Sequence, residues 1–256
     1  MRELLLEAAE AASKAIQSVD RDEWGIQVGM GADGSPTALV DRVSEEAIKE
    51  VLDEADLELN FLSEESELED WGSEWTIVVD PVDGTHNALS GFPNYSVSLA
   101  ICKDDLLGAK SAVVRDLITG WTYEAERGEG AWLNGRRIRV SPYTQENSLF
   151  VIYLGNRAHK KAFELAGLSR RVRNLGAASL DMCMVAAGAA DLYYMNSSAK
   201  NLELRITDVA ASSLIVREAG GEVYGLEGNP LNMPLDPVHR SNLFALGDKG
   251  LLEVVL

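Results

Sequence analysis

The sequence predicts an α/β fold built in layers, and three features carry that prediction. Two segments near the start have the apolar spacing of amphipathic helices. Between residues 57 and 125, short apolar runs follow one another, broken by acidic pairs and by Thr-Gly, as strands of one sheet would be. Beyond residue 142, strand-like and helix-like segments alternate, the pattern of an α/β layer.

Taken in order, Leu4 to Ile16 forms the first helix. Acids interrupt its apolar stripe, so the N-terminus does not read as a signal peptide. Thr37 to Ala55 forms the second helix, with Ser35-Pro36-Thr37 as its start signal. LELNFLSE, Leu57 to Glu64, is a strand ending in acids, and WTIVVD repeats that pattern. Tyr95 to Lys103, Leu107 to Arg115 and Gly120 to Ala125 are successive strands, which predicts an antiparallel sheet flanked by the two early helices. Then come a strand at Ser148 to Leu154, a helix at Arg157 to Gly167 and a short strand at Arg171 to Leu175. Gly176-Ala177-Ala178 leads into a helix ending at Gly188, and LYYM follows as a strand. Ile206 to Ala219 is a further helix, stopped by Gly220-Gly221. The second sheet is expected to be mixed. The change of texture at Ser141-Pro142 divides the chain into halves, 1–141 and 142–256, without a flexible linker and with the site between them.

The formal charge of −18 argues against generic nucleic-acid binding and against an anionic membrane surface. The longest apolar run is too short to span a bilayer, so a cytoplasmic protein is the default expectation. Cys102 and Cys183 lie in apolar runs and read as buried thiols. His86, His159 and His239 show no metal-ligand spacing.

Three acidic clusters stand at the ends of apolar elements: SEES (63–66), DPVDGT (80–85) and Asp208 in LRITDVAAS. Each alone is compatible with a solvated turn, and Asp208 is also a good helix cap. Converging carboxylates, however, repel one another unless hard cations neutralise them. Oxygen-only ligands without Cys or His clusters point to Mg²⁺ or Mn²⁺ rather than zinc. A pair of such ions roughly 3.5–4 Å apart suits phosphoryl transfer. Gly84 and Thr85 add a place for phosphate, because glycine lets backbone amides approach and a helix start favours an anion. The haloacid dehalogenase-like phosphatases carry a related Asp-x-Asp-Gly-Thr, but here both Pro81 and Val82 separate the aspartates.

With YEAERGEGAWLNGRRIRVS and GAASLDMCMVAAGAADLYY in the same order, these segments resemble the inositol monophosphatase family over nearly the whole chain. The resemblance implies layers alternating α/β/α/β/α and a Mg²⁺-dependent, lithium-sensitive sugar phosphatase that forms a homodimer. It implies that Glu64 ligates the first ion with Glu65 as outer ligand, that Asp80 bridges, and that the Val82 carbonyl completes the first site. Asp83 and Asp208 would hold the second ion, Gly84 and Thr85 the phosphate. Thr85, with Asp41 and Glu64, would orient the attacking water.

Substrate contacts are the open part. Gly176, Ala177 and Ala178 match the sugar-contacting segment and leave room for a polyol, though on their own they are plain helix packing. Asp181 either points into the pocket or caps the same helix. NLELRITDVAAS resembles archaeal enzymes that accept both inositol monophosphate and fructose 1,6-bisphosphate. Lys200, Arg205, Arg171 and Arg173 are candidates for a second phosphate, and each arginine can equally serve a structural salt bridge. A 3′-phosphoadenosine 5′-phosphate phosphatase and a non-enzymatic regulator on the same fold are the alternatives. The glycine-rich GMGADGSP is expected to be either a mobile loop able to close over the site or just a turn.

Overall fold

The computed structural model describes residues 1–31, 34, 36–55, 57–66, 68–198 and 204–256. The first helix, α1 (Arg2–Ser18), buries Leu5, Ala8, Ala9, Ala12 and Ile16, the stripe its spacing predicts. A small hairpin of β1 (Gln27–Met30) and β2 (Pro36–Ala38) then precedes α2 (Leu39–Glu54). The expected helix start at Thr37 is therefore two residues early. Pro36 to Ala38 pairs as a strand, and the Thr37 hydroxyl donates to the Glu65 carboxylate instead of capping a helix.

Seven strands follow in chain order across one sheet: β3 (Asn60–Ser63), β4 (Thr76–Asp83), β5 (Ser96–Cys102), β6 (Ser111–Asp116), β7 (Thr122–Glu126), β8 (Gly130–Leu133) and β9 (Arg136–Ile138). A short α3 (Thr85–Ser90) leaves the end of β4. The sheet is antiparallel except at its edge, where β3 runs parallel to β4. That departs from the expected all-antiparallel sheet. The physical reason is the long connection after Ser63, which carries the chain back so that β3 and β4 both finish at the same end.

The second sheet has the order β11-β10-β12-β14-β13 and is mixed, as expected. Its strands are β10 (Leu149–Ile152), β11 (Arg171–Arg173), β12 (Leu192–Met195), β13 (Glu222–Gly225) and β14 (Leu243–Leu246). The helices are α4 (Lys160–Leu168), α5 (Ala178–Ala186), α6 (Ile206–Glu218) and α7 (Leu252–Val255).

Three cores define the layers. Leu5, Ala8 and Ala12 of α1 and Ile48 of α2 pack on Ile77, Val79, Leu99 and Val113, one face of the first sheet. On its other face, Val78, Ala100 and Val114 meet Met182 of α5 and Val209 and Leu214 of α6, which also touch Val151, Tyr193 and Ala245 of the second sheet. The far face of the second sheet, with Phe150, Leu192 and Phe244, is covered by Ala162 and Leu165 of α4 and Val255 of α7. The result is α/β/α/β/α. Because β4 lies between two helical layers, all eight of its residues are buried, which explains its unbroken apolar run.

Candidate active site

The parallel pairing of β3 with β4 is what assembles the acids. Ser63 stands opposite Val79, and the Glu64 amide donates to the Val79 carbonyl at 3.2 Å, so Glu64 leaves the sheet beside Asp80. Asp208, in the first turn of α6, enters from the middle helical layer. One carboxylate oxygen from each of Glu64, Asp80 and Asp208 lies within 4.8 Å of the others. Among the described residues, this trio is the group of acids that converges in this way.

The spacing of DPVDGT has a structural cause. Opposite β5, Asp80 pairs with Ser98 and Asp83 with Ser96, so β4 carries one extra residue between the aspartates. This is a β-bulge, and Pro81, which has no N–H to give to a ladder, sits within it. The Val82 amide turns inward and donates to Asp80 Oδ1 at 3.1 Å. The Pro81 carbonyl accepts from the buried Ser44 hydroxyl at 2.8 Å. Gly84 then takes φ +87, a left-handed turn that starts α3. An added Cβ there would lie 3.0 Å from the Asn94 carbonyl oxygen and 3.1 Å from the Ala177 Cβ.

Thr85 and Asp41 meet across elements distant in the chain. The Thr85 hydroxyl lies 3.0 Å from Asp41 Oδ1 and 2.9 Å from the Val82 carbonyl oxygen. Its single proton serves one of these acceptors at a time, leaving oxygen lone pairs for a water. Asp83 points towards the start of α5. It accepts from the Ala178 amide at 3.1 Å, the Ser179 amide at 2.7 Å and the Ser179 hydroxyl at 2.5 Å. Asp181 accepts from Asn94 Nδ2 at 3.2 Å and from the Gly176 amide at 3.3 Å.

Burial dominates the electrostatics. It pushes the Asp41 and Asp181 carboxyls up to about 8 and those of Glu65 and Asp208 up to about 7, with neighbouring carboxylates adding to each shift. Asp80 is raised well above the ordinary range, first by burial and then by Glu64, Asp83 and Asp208. Asp83 rises only to about 6, because its three hydrogen bonds from α5 oppose the burial. Among the described residues, Arg205 brings positive charge to the trio, its guanidinium forming an ion pair with Glu64. One guanidinium does not balance this many acids. The concentration of buried carboxylate oxygens, without His or Cys, fits a hard divalent cation.

Beside the trio lies a cavity of about 200 Å³, walled by Asp83, Asp208, Asp181, Gly176, Ala178, Asn174, Tyr153 and Tyr193 among others. In a cavity of about 320 Å³ near the end of α2, against Leu52, Phe61 and Trp71, the lining acids Asp53, Glu58 and Glu69 do not form such a trio among the described residues.

The profile of the inositol monophosphatase family matches residues 1–253. The chain belongs to that family. Membership places it among phosphoric monoester hydrolases acting on small phosphorylated substrates. A fructose-1,6-bisphosphatase/inositol-1-monophosphatase of Archaeoglobus fulgidus is 37% identical over 97% of this chain and 95% of its own. A bifunctional NADP phosphatase/NAD kinase of Methanococcus maripaludis is 31% identical over 92% of this chain and 45% of its own. A crystal structure of an inositol monophosphatase–fructose 1,6-bisphosphatase superposes with a TM-score of 0.87 at 29% identity, covering 99% of this chain and 97% of that one.

Among family members, this structure brings Glu64, Asp80, Val82, Asp83, Asp208, Gly84, Thr85 and Asp41 into one region, with Glu65 beside them through its bond from Thr37. Gly176 and Ala178 line the cavity, whereas Ala177 is fully buried behind Gly84. Arg171 and Arg173 are exposed on the edge strand β11 and are not on the cavity wall. Lys200 lies outside the described residues, as do Ala32, Asp33 and Ser35 of the glycine-rich loop. Sequence reasoning missed Asn87, Asn94, Asn174, Tyr153, Tyr193 and Ser179. Asn87 stands two residues beyond Thr85 and donates to both the Asn94 and Leu175 carbonyls at 2.8 Å, fixing the turn before Gly176. Its position in DGTHN was the one available signal. No helix among the described residues is long and apolar enough to cross a membrane.

Proposed function

We propose that the protein is a Mg²⁺-dependent phosphatase of small sugar or polyol phosphate monoesters, with fructose 1,6-bisphosphate and inositol monophosphate as the leading substrates. The observation that carries this reading is the convergence of Glu64, Asp80 and Asp208 within 4.8 Å, next to the Thr85–Asp41 pair. Glu64, Asp80 and Asp208 would hold Mg²⁺, with Mn²⁺ as a substitute; Glu65 and the Val82 carbonyl would serve the first ion and Asp83, with Asp208, the second. Bound there, the cations would supply a nucleophilic water near neutral pH and neutralise the leaving oxygen.

The chain's own groups do the rest. The Asp41 carboxylate takes the Thr85 proton in a hydrogen bond, and the Thr85 oxygen then accepts one from the attacking water and aims it. Gly84 and Thr85 would offer backbone amides at the start of α3, where the left-handed turn at Gly84 sets their direction. No protein nucleophile is required, since a cation-bound water would make the attack. Asp181, Gly176 and Ala178 face the space a polyol would fill. A homodimer is proposed on family grounds.

A nucleotide phosphate is the second reading, favoured by the partly exposed Tyr153 on the cavity wall, where a base could stack. One assay tests both. Purified protein with Mg²⁺ is given fructose 1,6-bisphosphate, inositol 1-phosphate, 3′-phosphoadenosine 5′-phosphate and NADP, and released phosphate is measured. Turnover of a sugar phosphate, lost in Asp83→Asn, is the expected result. No phosphate from any of the four would sink the enzyme reading, and turnover of a nucleotide alone would replace the substrate.

A further inference from the structure

Arg205, a candidate contact for a second phosphate in the sequence, is not on the cavity wall and stands against the acid cluster instead. It is the residue before α6, and its backbone amide donates to Asp208 Oδ2 at 2.6 Å. Its guanidinium meanwhile reaches across to Glu64. The two side chains are only 14% and 24% exposed, so the pair is shielded from bulk water. One residue thus contacts two of the three converging acids, Asp208 through its backbone and Glu64 through its charge. A guanidinium and a divalent cation cannot both take the same carboxylate oxygen at full strength.

We propose that Arg205 is a resident counter-cation of the acid cluster, competing with the divalent metal for Glu64. The inference rests on the metal-dependent reading above. In the metal-free protein the guanidinium holds Glu64 and relieves part of the repulsion among Glu64, Asp80 and Asp208. Cation loading displaces it. Arg205 therefore keeps the empty centre folded and at the same time raises the cation concentration needed to fill it. It is a positioning residue, acting through Glu64 and not on the phosphate ester.

This makes an unusual sign the deciding quantity. If Arg205 only braced the start of α6, its loss would disorder Asp208 and weaken metal binding. If it competes, its loss tightens binding. Calorimetric titration of chelator-treated full-length protein with MgCl₂ alone measures this without substrate. Arg205→Gln is expected to bind at least about tenfold more tightly than wild type, a small fraction of the full Coulomb interaction of one unit charge beside a dication, because solvent screens part of it. In chelator the variant should melt below wild type, and saturating Mg²⁺ should abolish that gap.

A measurement on unmodified protein covers the case in which the variant folds poorly. Phenylglyoxal labelling, read by peptide mass spectrometry, should rise several-fold at Arg205 when Mg²⁺ is added. Unchanged or weaker Mg²⁺ affinity in Arg205→Gln, or labelling indifferent to Mg²⁺, overturns the proposal while leaving the phosphatase reading intact. Failure of wild type to bind Mg²⁺ at all overturns both.

Discussion

Replacing Asp80 by Asn should make the metal-free protein more stable and the enzyme inactive. Asp80 is 1% exposed and lies within 4.8 Å of Glu64 and Asp208 carboxylate oxygens. Two unit charges 4.8 Å apart repel by about 3.5 kcal/mol at an effective dielectric constant of about 20. The repulsion is not all realised, because Arg205 partly neutralises Glu64 and because Asp80 can take up a proton instead. That escape has its own cost, about 1.4 kcal/mol for each pH unit above the ordinary carboxyl value. A net relief of about 2 kcal/mol follows, which for a chain of this size raises Tm by about 4–8 °C. Asn keeps an oxygen to accept the Val82 amide, so the bulge need not change. Differential scanning calorimetry in EDTA and in saturating MgCl₂ is the assay. Wild type should gain from Mg²⁺ and Asp80→Asn should gain little. An unchanged or lower Tm in EDTA, or equal Mg²⁺ stabilisation of both proteins, would refute the placement of Asp80 at a repulsive cation site.

The remaining predictions concern the same region. Thr85→Ala and Asp41→Asn should each lower kcat by about 10²–10⁴-fold, with the double variant scarcely worse than either, because the two groups act as one unit. Steady-state kinetics would expose independent roles as additive losses. Gly84→Ala should destabilise by at least about 1–2 kcal/mol, since φ is +87 and the new methyl meets the Asn94 carbonyl at 3.0 Å; an unaltered denaturation midpoint would contradict the turn. In chelator, stability should fall as pH rises from about 4 towards about 8. The carboxyls of Asp41, Glu65, Asp181 and Asp208 are raised in the folded state, so the folded protein holds protons that the unfolded chain has already released. The stabilisation brought by Mg²⁺ should grow over the same range. A melting temperature in EDTA that climbs with pH would contradict this sign.

Much of this protein was legible from its sequence. The 3.6-residue apolar spacing located α1, and runs of mostly apolar and small residues bounded by acids or glycines located β4, β5, β12, α5 and α6, because elements covered on every side need no polar face. The identity of the acids and the absence of clustered His or Cys pointed to a hard cation before any coordinates. The interval of DPVDGT, one residue longer than Asp-x-Asp, carried its meaning in the sequence too. Strands β8 and β9 were less visible, since they are only four and three residues long and the edge strand β9 exposes Arg136 and Arg137. The true start of α2 was hidden because Thr37 spends its hydroxyl on Glu65, a partner distant along the chain.

Local sequence could name the candidate acids but not the direction in which β3 runs. A hairpin would have put Glu64 at the opposite end of the sheet from Asp80. The parallel edge pairing, a non-local choice, brings them together. Likewise Arg205 reads in sequence as a substrate contact or a structural ion pair, and only the crossing of α6 towards β3 joins it to Glu64. What the chain settled by itself was its chemistry, because residue type fixes which atoms can bind. What the tertiary structure decided was proximity, because burial brings together charges that water would otherwise keep apart.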